Sequence, residues 1–396
     1  MKDDVMKTLS YGRHWIDERD RAGVDAVLIG DWLTQGPTIG RFEDALKGVT
    51  GAAHAVGCAN GTAALHVTAA ALGWGPGDHI VMPAITFLAS ANCCRYVGAH
   101  PVFADILPET FTLDPAQVES QVQGLRAAGA RVRGIIGVDM TGHPCDWRAL
   151  RDIADRHSLD LVDDAAHALG ARGPDGTAIG SGAFADVTTL SFHPVKAITT
   201  GEGGAILTNR EDLAARARRL CSHGTVRGET QVLDWEGPWH ADMVELGFNY
   251  RLTDLQASLG ITQLARLDSF IDRRHALAER YDRAFADDPL IRVQQPVPGI
   301  RHGHHLYVIR VPFDTGAVSR RELFERCRQR GILLQVHYRP VILNSYYARF
   351  DDDSRARQAL PESLRYYAEC VTLPLFPQMT DADVDRVVAT VRESLR

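Results

Sequence analysis

The chain has 396 residues, of which 45% are hydrophobic and 23% charged, and a formal net charge of -7. This length can bury a large core and predicts two domains, and the mixing of acidic and basic residues leaves no basic face for nucleic acid. No apolar run reaches the length of a membrane span and residues 1–7 lack an apolar signal core, so we expect a cytoplasmic protein with no membrane partner. Seven cysteines without a C-x-x-C pair predict reduced core thiols.

Strand and helix patterns alternate along the first two thirds of the chain. The predicted strands cover residues 53–58, 79–83, 101–105, 132–138, 159–162, 184–190 and 205–208. The predicted helices cover residues 16–31, about 39–50, a segment starting near 61, 114–128, 147–157, 211–222 and 255 to about 285. This order predicts an α/β fold with a largely parallel sheet, helices on both faces and ligands at the carboxyl ends of the strands.

The character of the chain changes near residue 287, where several prolines follow one another closely. We therefore predict a large domain over residues 1–286 and a smaller α+β domain over residues 287–396. Within the smaller domain, we predict strands over 305–311 and 331–336, and helices over 320–330 and 381–396.

One lysine stands out because it lies in a short polar turn between two predicted strands. Apolar walls around Lys196 would desolvate its amine and lower its pKa toward the range where the neutral amine attacks a carbonyl. That is the chemistry of Schiff-base formation. A solvated lysine in a loop is the alternative, and it is the commoner case for a lysine taken at random.

Other strand ends also carry candidate functional residues. Asp163 and Asp164 follow an apolar strand, where a carboxylate needs a cationic partner such as a protonated pyridine nitrogen, or else caps a helix. Gly61 and Thr62 lie at a strand-to-helix turn that either binds an anion or is a plain turn with Thr62 as the N-cap. Phe87 begins another helix, where it either stacks on a planar cofactor or belongs to the core.

Two further patterns are interpreted without a ligand. The glycine-rich segment 73–78 follows a helix and precedes a strand, the reverse of a dinucleotide-binding loop, which argues against a nicotinamide-dependent oxidoreductase. His302, His304 and His305 have no acid or cysteine nearby, so we interpret them as hydrogen-bonded histidines and predict no metal site.

Together these motifs resemble the DegT/DnrJ/EryC1/StrS family of sugar aminotransferases, which have the fold type I architecture of aspartate aminotransferase and bind pyridoxal 5'-phosphate. The resemblance covers nearly the whole chain, from the segment 32–37 to the segment 373–377. It implies that Lys196 forms the Schiff base, that Asp164 pairs with the pyridine nitrogen, and that His167 lies beside the ring oxygen.

The same resemblance implies that Phe87 stacks on the cofactor ring. Ser191 and Thr62, with the turn at Gly61, are expected to hold the phosphate. Asn249 is expected to reach that phosphate from the neighbouring subunit, which implies a homodimer with shared active sites.

The family resemblance also implies the substrates of a ping-pong reaction. L-glutamate is the expected amino donor, and a nucleotide-linked keto sugar is the expected acceptor. The residues on either side of the lysine, 192–194 and 198–204, resemble family members that act at sugar C4. Segments 222–224 and 331–340 resemble the members of the pseudaminic-acid pathway, which aminate a UDP-linked 4-keto-6-deoxy N-acetyl sugar.

Sugar or nucleotide contacts are expected from His193, His337 and Tyr338. The alternatives are a GDP- or dTDP-linked sugar, amination at C3, or a regulatory member of the family without turnover. A fourth alternative, a dehydratase of the same family, is disfavoured because those members replace the lysine with histidine and this chain retains Lys196.

Overall fold

The computed structural model describes residues 8–228, 232, 234–314, 316–350 and 358–396, so residues 1–7, over which a signal core was sought, lie outside it. The strands are β1 His54–Cys58, β2 Asp78–Pro83, β3 His100–Ala104, β4 Arg131–Val138, β5 Asp160–Asp164, β6 Val187–Ser191, β7 Gly204–Thr208, β8 Thr225–Arg227, β9 Ala241–Met243, β10 Arg292–Val293, β11 Tyr307–Arg310 and β12 Cys370–Leu373. The helices are α1 Glu18–Leu28, α2 Pro37–Thr50, α3 Gly61–Ala71, α4 Leu88–Tyr96, α5 Pro115–Ala127, α6 Trp147–His157, α7 Glu211–Cys221, α8 Asp254–Leu264, α9 Leu267–Phe285, α10 Arg320–Gln329, α11 Pro361–Glu369 and α12 Asp381–Leu395. Among these helices, none combines the length and the apolar character that a bilayer span requires.

Seven strands form one sheet in the order β1-β7-β6-β5-β4-β2-β3. Neighbouring strands are parallel except at β7, which runs antiparallel to both β1 and β6. Cys58 and Ser191 both pair with Gly204, so β1 and β6 end at the same edge of the sheet. The predicted α/β fold with a largely parallel sheet is therefore confirmed, and the antiparallel direction of β7, a strand predicted over 205–208, is the new feature of the sheet.

Both faces of this sheet are buried, which explains why its strands are almost continuously apolar. Side chains of successive residues point to opposite faces, so alternate strand positions enter two different clusters. One cluster joins the sheet to α5 and α6 through Val81, Ile135, Leu161, Val118 and Leu150. The other joins it to α3 and α4 through Met82, Ile136, Val162, Leu65 and Ala89.

A second core surrounds the antiparallel sheet β10-β11-β12 together with α10 and α12. The last turns of α9 also enter this core through Leu277, Tyr281 and Phe285, and so does Leu9 from the start of the described chain. The second core therefore begins before residue 287 in the sequence, and the domain boundary at 286/287 stays a prediction.

The single helix predicted from 255 to about 285 is wrong, because the chain forms two helices, α8 and α9, with a break at residues 265–266. The guanidinium of Arg266 forms ion pairs with Asp17 and Asp20 of the N-terminal segment, and its backbone leaves helical geometry. The strand predicted over 331–336 is also wrong. Those residues form only isolated bridges, from Ile332 to Leu9 and from Gln335 to Thr372.

The seven cysteines are all free and buried, as the absence of a C-x-x-C pair predicted. Burial keeps these thiols away from water and raises the pKa of several of them, so they behave as small apolar groups of the core.

Candidate active site

A cavity of about 460 Å³ lies at the edge of the large sheet where β1, β5 and β6 end. Ten of the eleven predicted site residues line it: Gly61, Thr62, Phe87, Asp164, His167, Ser191, His193, Lys196, His337 and Tyr338. The eleventh, Asn249, is exposed and lies outside the cavity of its own chain. The carboxyl ends of parallel strands meet at one edge, and that geometry brings these distant sequence motifs together.

Lys196 is held in a turn that follows β6. Its backbone N–H donates to the carbonyl of His193 at 2.9 Å, and Phe192, just after the strand, donates to the carbonyl of Gly203 at 2.8 Å. Burial lowers the pKa of Lys196 to about 8, although the charge of Asp164 opposes this shift. About a tenth of the amine is therefore neutral at pH 7, which makes it a usable nucleophile and base.

Asp164, the last residue of β5, is a buried carboxylate with two hydrogen-bond donors. Ser90 Oγ lies 2.6 Å from Oδ2, and the N–H of Ala166 donates to Oδ1 at 3.2 Å. Burial raises the pKa of Asp164, whereas these hydrogen bonds and the charge of Lys196 lower it. A cationic group in the cavity would lower that pKa further and stabilise the carboxylate.

The neighbouring acid, Asp163, points to the opposite face of the sheet because side chains alternate along β5. There it accepts a hydrogen bond from Thr188 Oγ1 at 3.3 Å and lines a separate cavity of about 270 Å³. The described residues that line this second cavity include no lysine. The chemistry of an amine beside a carboxylate therefore belongs to the larger cavity and to Asp164.

His167 is buried, and one of its ring nitrogens is left without a partner. Its Nε2 lies 3.2 Å from the hydroxyl of Tyr338, and its ring centroid lies 4.3 Å from that of His305. No described protein atom hydrogen-bonds its Nδ1. Burial and the nearby charge of Lys196 lower the pKa of His167, so the ring is neutral at pH 7 and can hydrogen-bond an oxygen of a bound molecule.

The first turn of α3 forms a second polar feature of the cavity. A Cβ on Gly61 would lie 2.8 Å from the Cβ of Ser191, so only glycine lets the helix approach this strand end so closely. Asn60 caps the helix by accepting from the N–H of Ala63 at 2.8 Å, so the alternative in which Thr62 is the N-cap is wrong. The remaining N–H groups of the first turn, together with the Ser191 hydroxyl, form a cradle suited to a phosphate.

These features fit pyridoxal phosphate as four separate contacts. Asp164 can pair with the pyridine nitrogen, the free Nδ1 of His167 can hydrogen-bond the ring oxygen, and the α3 cradle can hold the phosphate. Phe87 remains 55% exposed within the cavity lining, with its ring 5.9 Å from that of Tyr338. An exposed aromatic ring in that position can cover a planar ligand.

Residues from the last third of the chain, His305, His337 and Tyr338, form another wall of the cavity. His337 is buried, its Nδ1 lies 2.9 Å from Thr372 Oγ1, and burial lowers its pKa to about 3. His193, by contrast, is exposed at the mouth. Sequence reasoning assigned both to substrate contacts, and the structure brings both to the cavity.

Several lining residues were not found from the sequence. Ser90 lies in the first turn of α4, and Thr86 Oγ1 lies 2.7 Å from its hydroxyl. A threonine and a serine four residues apart after a strand end were therefore a usable signal. Tyr11 and His305 also line the cavity. They come from distant parts of the chain, and neither lies at the carboxyl end of a predicted strand; His305 was interpreted from the sequence only as a hydrogen-bonded histidine.

In the part of the chain that the structure describes, no group of three or more His, Cys, Asp or Glu side chains is arranged to hold a metal ion. His302 accepts a hydrogen bond at Nδ1 from the N–H of His304 at 2.7 Å, and its carbonyl accepts one from His275 Nε2 at 2.7 Å. These hydrogen bonds join the linker after β10 to α9.

Comparisons with known proteins give likenesses that agree with one another. A model of the DegT/DnrJ/EryC1/StrS aminotransferase family matches residues 14–392. The spore coat polysaccharide biosynthesis protein SpsC of Bacillus subtilis (strain 168) is 34% identical over 389 residues, which cover 98% of this chain and 97% of that protein.

Two solved structures are similar over nearly their whole length. Helicobacter pylori PseC, an aminotransferase involved in the biosynthesis of pseudoaminic acid, has a TM-score of 0.88 at 28% identity, with 98% of this chain and 99% of that chain covered. The PLP-form of Spr1654, a putative sugar aminotransferase from Streptococcus pneumoniae, has a TM-score of 0.86 at 28% identity, with 98% and 100% covered.

Proposed function

The chain belongs to the DegT/DnrJ/EryC1/StrS aminotransferase family and is a pyridoxal phosphate-dependent sugar aminotransferase, and we propose that it moves an amino group from L-glutamate to C4 of a nucleotide-linked 4-keto-6-deoxy sugar. The observation that carries this proposal is the cavity in which Lys196, Asp164 and His167 meet. As its best candidate acceptor we propose a UDP-linked 4-keto-6-deoxy N-acetyl sugar of the pseudaminic-acid type. The likeness to PseC supports this choice.

Bound pyridoxal phosphate would supply an electron-accepting ring that carries the amino group between the two substrates. Asp164 would keep the ring nitrogen protonated, because a buried carboxylate at that position stabilises a positive charge. Ser90 holds Asp164 in place through the 2.6 Å hydrogen bond. His167 would orient the ring through its free Nδ1.

Lys196 would be the catalytic acid and base. Its pKa of about 8 lies near neutral pH, so Nζ can both accept a proton from the donor carbon and return one to the acceptor carbon. Phe87 would cover the ring and exclude water. Gly61, Thr62 and Ser191 would anchor the phosphate, and that anchor would keep the reacting atoms near Nζ.

We also propose a homodimer in which Asn249 of one subunit completes the phosphate site of the other. Its exposure and its position outside the cavity of its own chain support this. An open groove beside the phosphate cradle, lined by Thr62, His66, Tyr96 and Tyr250, offers a place for such a contact. Light scattering measures the oligomeric state. Asn249→Ala should weaken cofactor binding and leave the oligomeric state unchanged.

The experiment that tests the function is absorption spectroscopy of the purified holoenzyme. Addition of L-glutamate should bleach the visible band of the bound cofactor, and one nucleotide 4-keto sugar from a panel of UDP, dTDP and GDP sugars should restore it. The restoring sugar identifies the acceptor. A protein that stays colourless after addition of pyridoxal phosphate would exclude the proposed roles of Lys196 and Asp164.

A further inference from the structure

The second cavity, of about 270 Å³, lies on the opposite face of the large sheet from Lys196. Asp163 and Thr188, which pair across β5 and β6, line this cavity, whereas the next pair, Asp164 and Thr189, lines the larger one. Among the described residues, the two cavities have no lining residue in common. A molecule bound in the second cavity would therefore leave the larger cavity open.

Much of the wall of the second cavity is apolar. Its apolar side chains include Leu107, Trp147, Ile179, Phe184, Val297 and Ile300. The volume lies just below the roughly 300–1,000 Å³ typical of sites for drug-sized ligands. The cavity is thus suited to a small molecule with an apolar body, such as a substituted ring.

Two buried polar side chains of this wall differ in how they are paired. His143 is satisfied at both ring nitrogens, because its Nδ1 lies 2.7 Å from the carbonyl of Pro144 and its Nε2 accepts from the N–H of Val297 at 3.1 Å. Asp163 Oδ2 accepts only from Thr188 Oγ1, at 3.3 Å, and no described residue hydrogen-bonds its Oδ1. A buried carboxyl oxygen without a partner is costly, so Asp163 is the group of this wall that gains most from a ligand.

The charges around Asp163 favour a cation as that ligand. Burial raises the pKa of Asp163, and the nearby charges of Asp139 and Asp164 raise it further, with no described lysine or arginine opposing them. The one arginine of the described wall, Arg148, is exposed and lies 3.6 Å from Asp175. A positive charge beside Asp163 would offset the repulsion among the three buried aspartates and stabilise its ionised form.

We propose that the second cavity is a separate ligand site for a small organic cation, whose apolar body fills the cavity and whose amine or amidinium group pairs with Asp163. An anion is disfavoured, because the described wall carries the carboxylates of Asp146, Asp163 and Asp175 against the single guanidinium of Arg148. The proposal goes beyond the aminotransferase reaction and does not depend on which sugar the enzyme uses.

The test measures binding of benzamidine to the holoenzyme by calorimetry. Benzamidine joins an apolar ring to a planar amidinium that can form two hydrogen bonds with a carboxylate. Benzamide is the matched probe, because it has nearly the same shape and no charge. We expect benzamidine to bind roughly tenfold or more tightly than benzamide, since hydrogen bonds between charged groups are the stronger ones.

Asp163→Asn keeps the size of the side chain and removes its charge. It should weaken benzamidine binding roughly 10- to 100-fold and leave benzamide binding within about twofold of wild type. The matched control is Asp155→Asn, because Asp155 is an exposed acid of α6 that pairs with Arg151 at 2.8 Å and lies outside the described wall. This control should bind both probes as wild type does.

A second variant tests the cavity without altering the buried acid. Ala183 is an exposed residue of the wall, so a tryptophan in its place should obstruct the cavity. Ala183→Trp should weaken binding of benzamidine and benzamide alike. Thermal unfolding without a probe shows whether this variant and Asp163→Asn are folded.

Several results would overturn the proposal. They are the absence of benzamidine binding to wild type, equal affinity of wild type and folded Asp163→Asn for benzamidine, and unchanged binding by folded Ala183→Trp. Benzamidine should also bind equally well with and without pyridoxal phosphate, so competition with the cofactor would place the probe in the larger cavity and overturn the proposal as well. A failure of transamination would count against the proposed function and leave these binding measurements unaffected.

Discussion

The lowered pKa of Lys196 can be measured directly, because the chain has only four lysines: Lys2, Lys7, Lys47 and Lys196. With a pKa of about 8 instead of 10.5, the neutral fraction of the amine at pH 7 rises from roughly 0.03% to about 9%, a factor of roughly 300. Only the neutral amine reacts with an acylating reagent. We therefore expect labelling of Lys196 in the cofactor-free protein to level off just above pH 8.

Trace labelling with acetic anhydride between pH 6 and pH 10.5, followed by mass spectrometry of the lysine peptides, gives this profile. Lys47 is the reference within the same sample, because it lies on the surface of α2 with Asp44 2.7 Å away. Asp164→Asn should move the midpoint of Lys196 below 8, since the charge of Asp164 raises the pKa of the amine. If the labelling of Lys196 rises tenfold per pH unit up to pH 10, as for a solvated lysine, the burial argument is refuted.

Three further outcomes are expected. Lys196→Ala should retain cofactor through the α3 cradle but lose transamination by about 10²–10⁴-fold or more, and near-normal turnover would contradict its role as acid and base. Gly61→Ala should weaken cofactor affinity by roughly tenfold in a spectroscopic titration, because the new Cβ would meet Ser191, whereas Gly40→Ala, with no atom within 4 Å of its Cβ, should not. Burial lowers the pKa of His304 to about 3 from 6.5, so between these pH values the unfolded chain binds more protons than the folded chain. The free energy of unfolding should therefore decrease as the pH is lowered through that window, by up to about 1.4 kcal/mol per pH unit. Denaturant unfolding at pH 7.5 and pH 5 measures this loss of stability, and His304→Gln should reduce it. Equal stability of the wild type at both pH values would contradict the role given to His304.

The cavity could be predicted from the sequence because its residues follow strand ends. Gly61 follows β1, Phe87 follows β2, Asp164 ends β5 and Lys196 follows β6. A parallel sheet brings such positions to one edge whatever their separation in the chain. The pattern of strands therefore predicted a shared site before any side-chain position was known.

The strand β7 shows the limit of this reasoning. Residues 204–208 form an apolar run that reads equally well in either direction, and the antiparallel pairing depends on the turn at 192–203. That turn is held by hydrogen bonds from Phe192 to Gly203 and from Thr200 to Phe192. Direction is thus decided by tertiary contacts that periodicity does not encode.

Residues from outside the strand ends were missed for a related reason. Tyr11 reaches the cavity because Leu9 forms a bridge to Ile332 in the second core and directs the following residues across the site. His305 is placed by the backbone hydrogen bond from its N–H to the carbonyl of Thr141 at 2.8 Å. Such long-range contacts between two cores leave no periodic signal in the sequence.

The charges of the cavity lining bear on how one cavity can serve two anionic substrates in turn. A permanent cation inside the cavity would hold the first product, an α-keto acid, and compete with the sugar that follows. The lining instead combines Lys196 with the two carboxylates Asp164 and Glu202, so the donor product meets no fixed excess of positive charge.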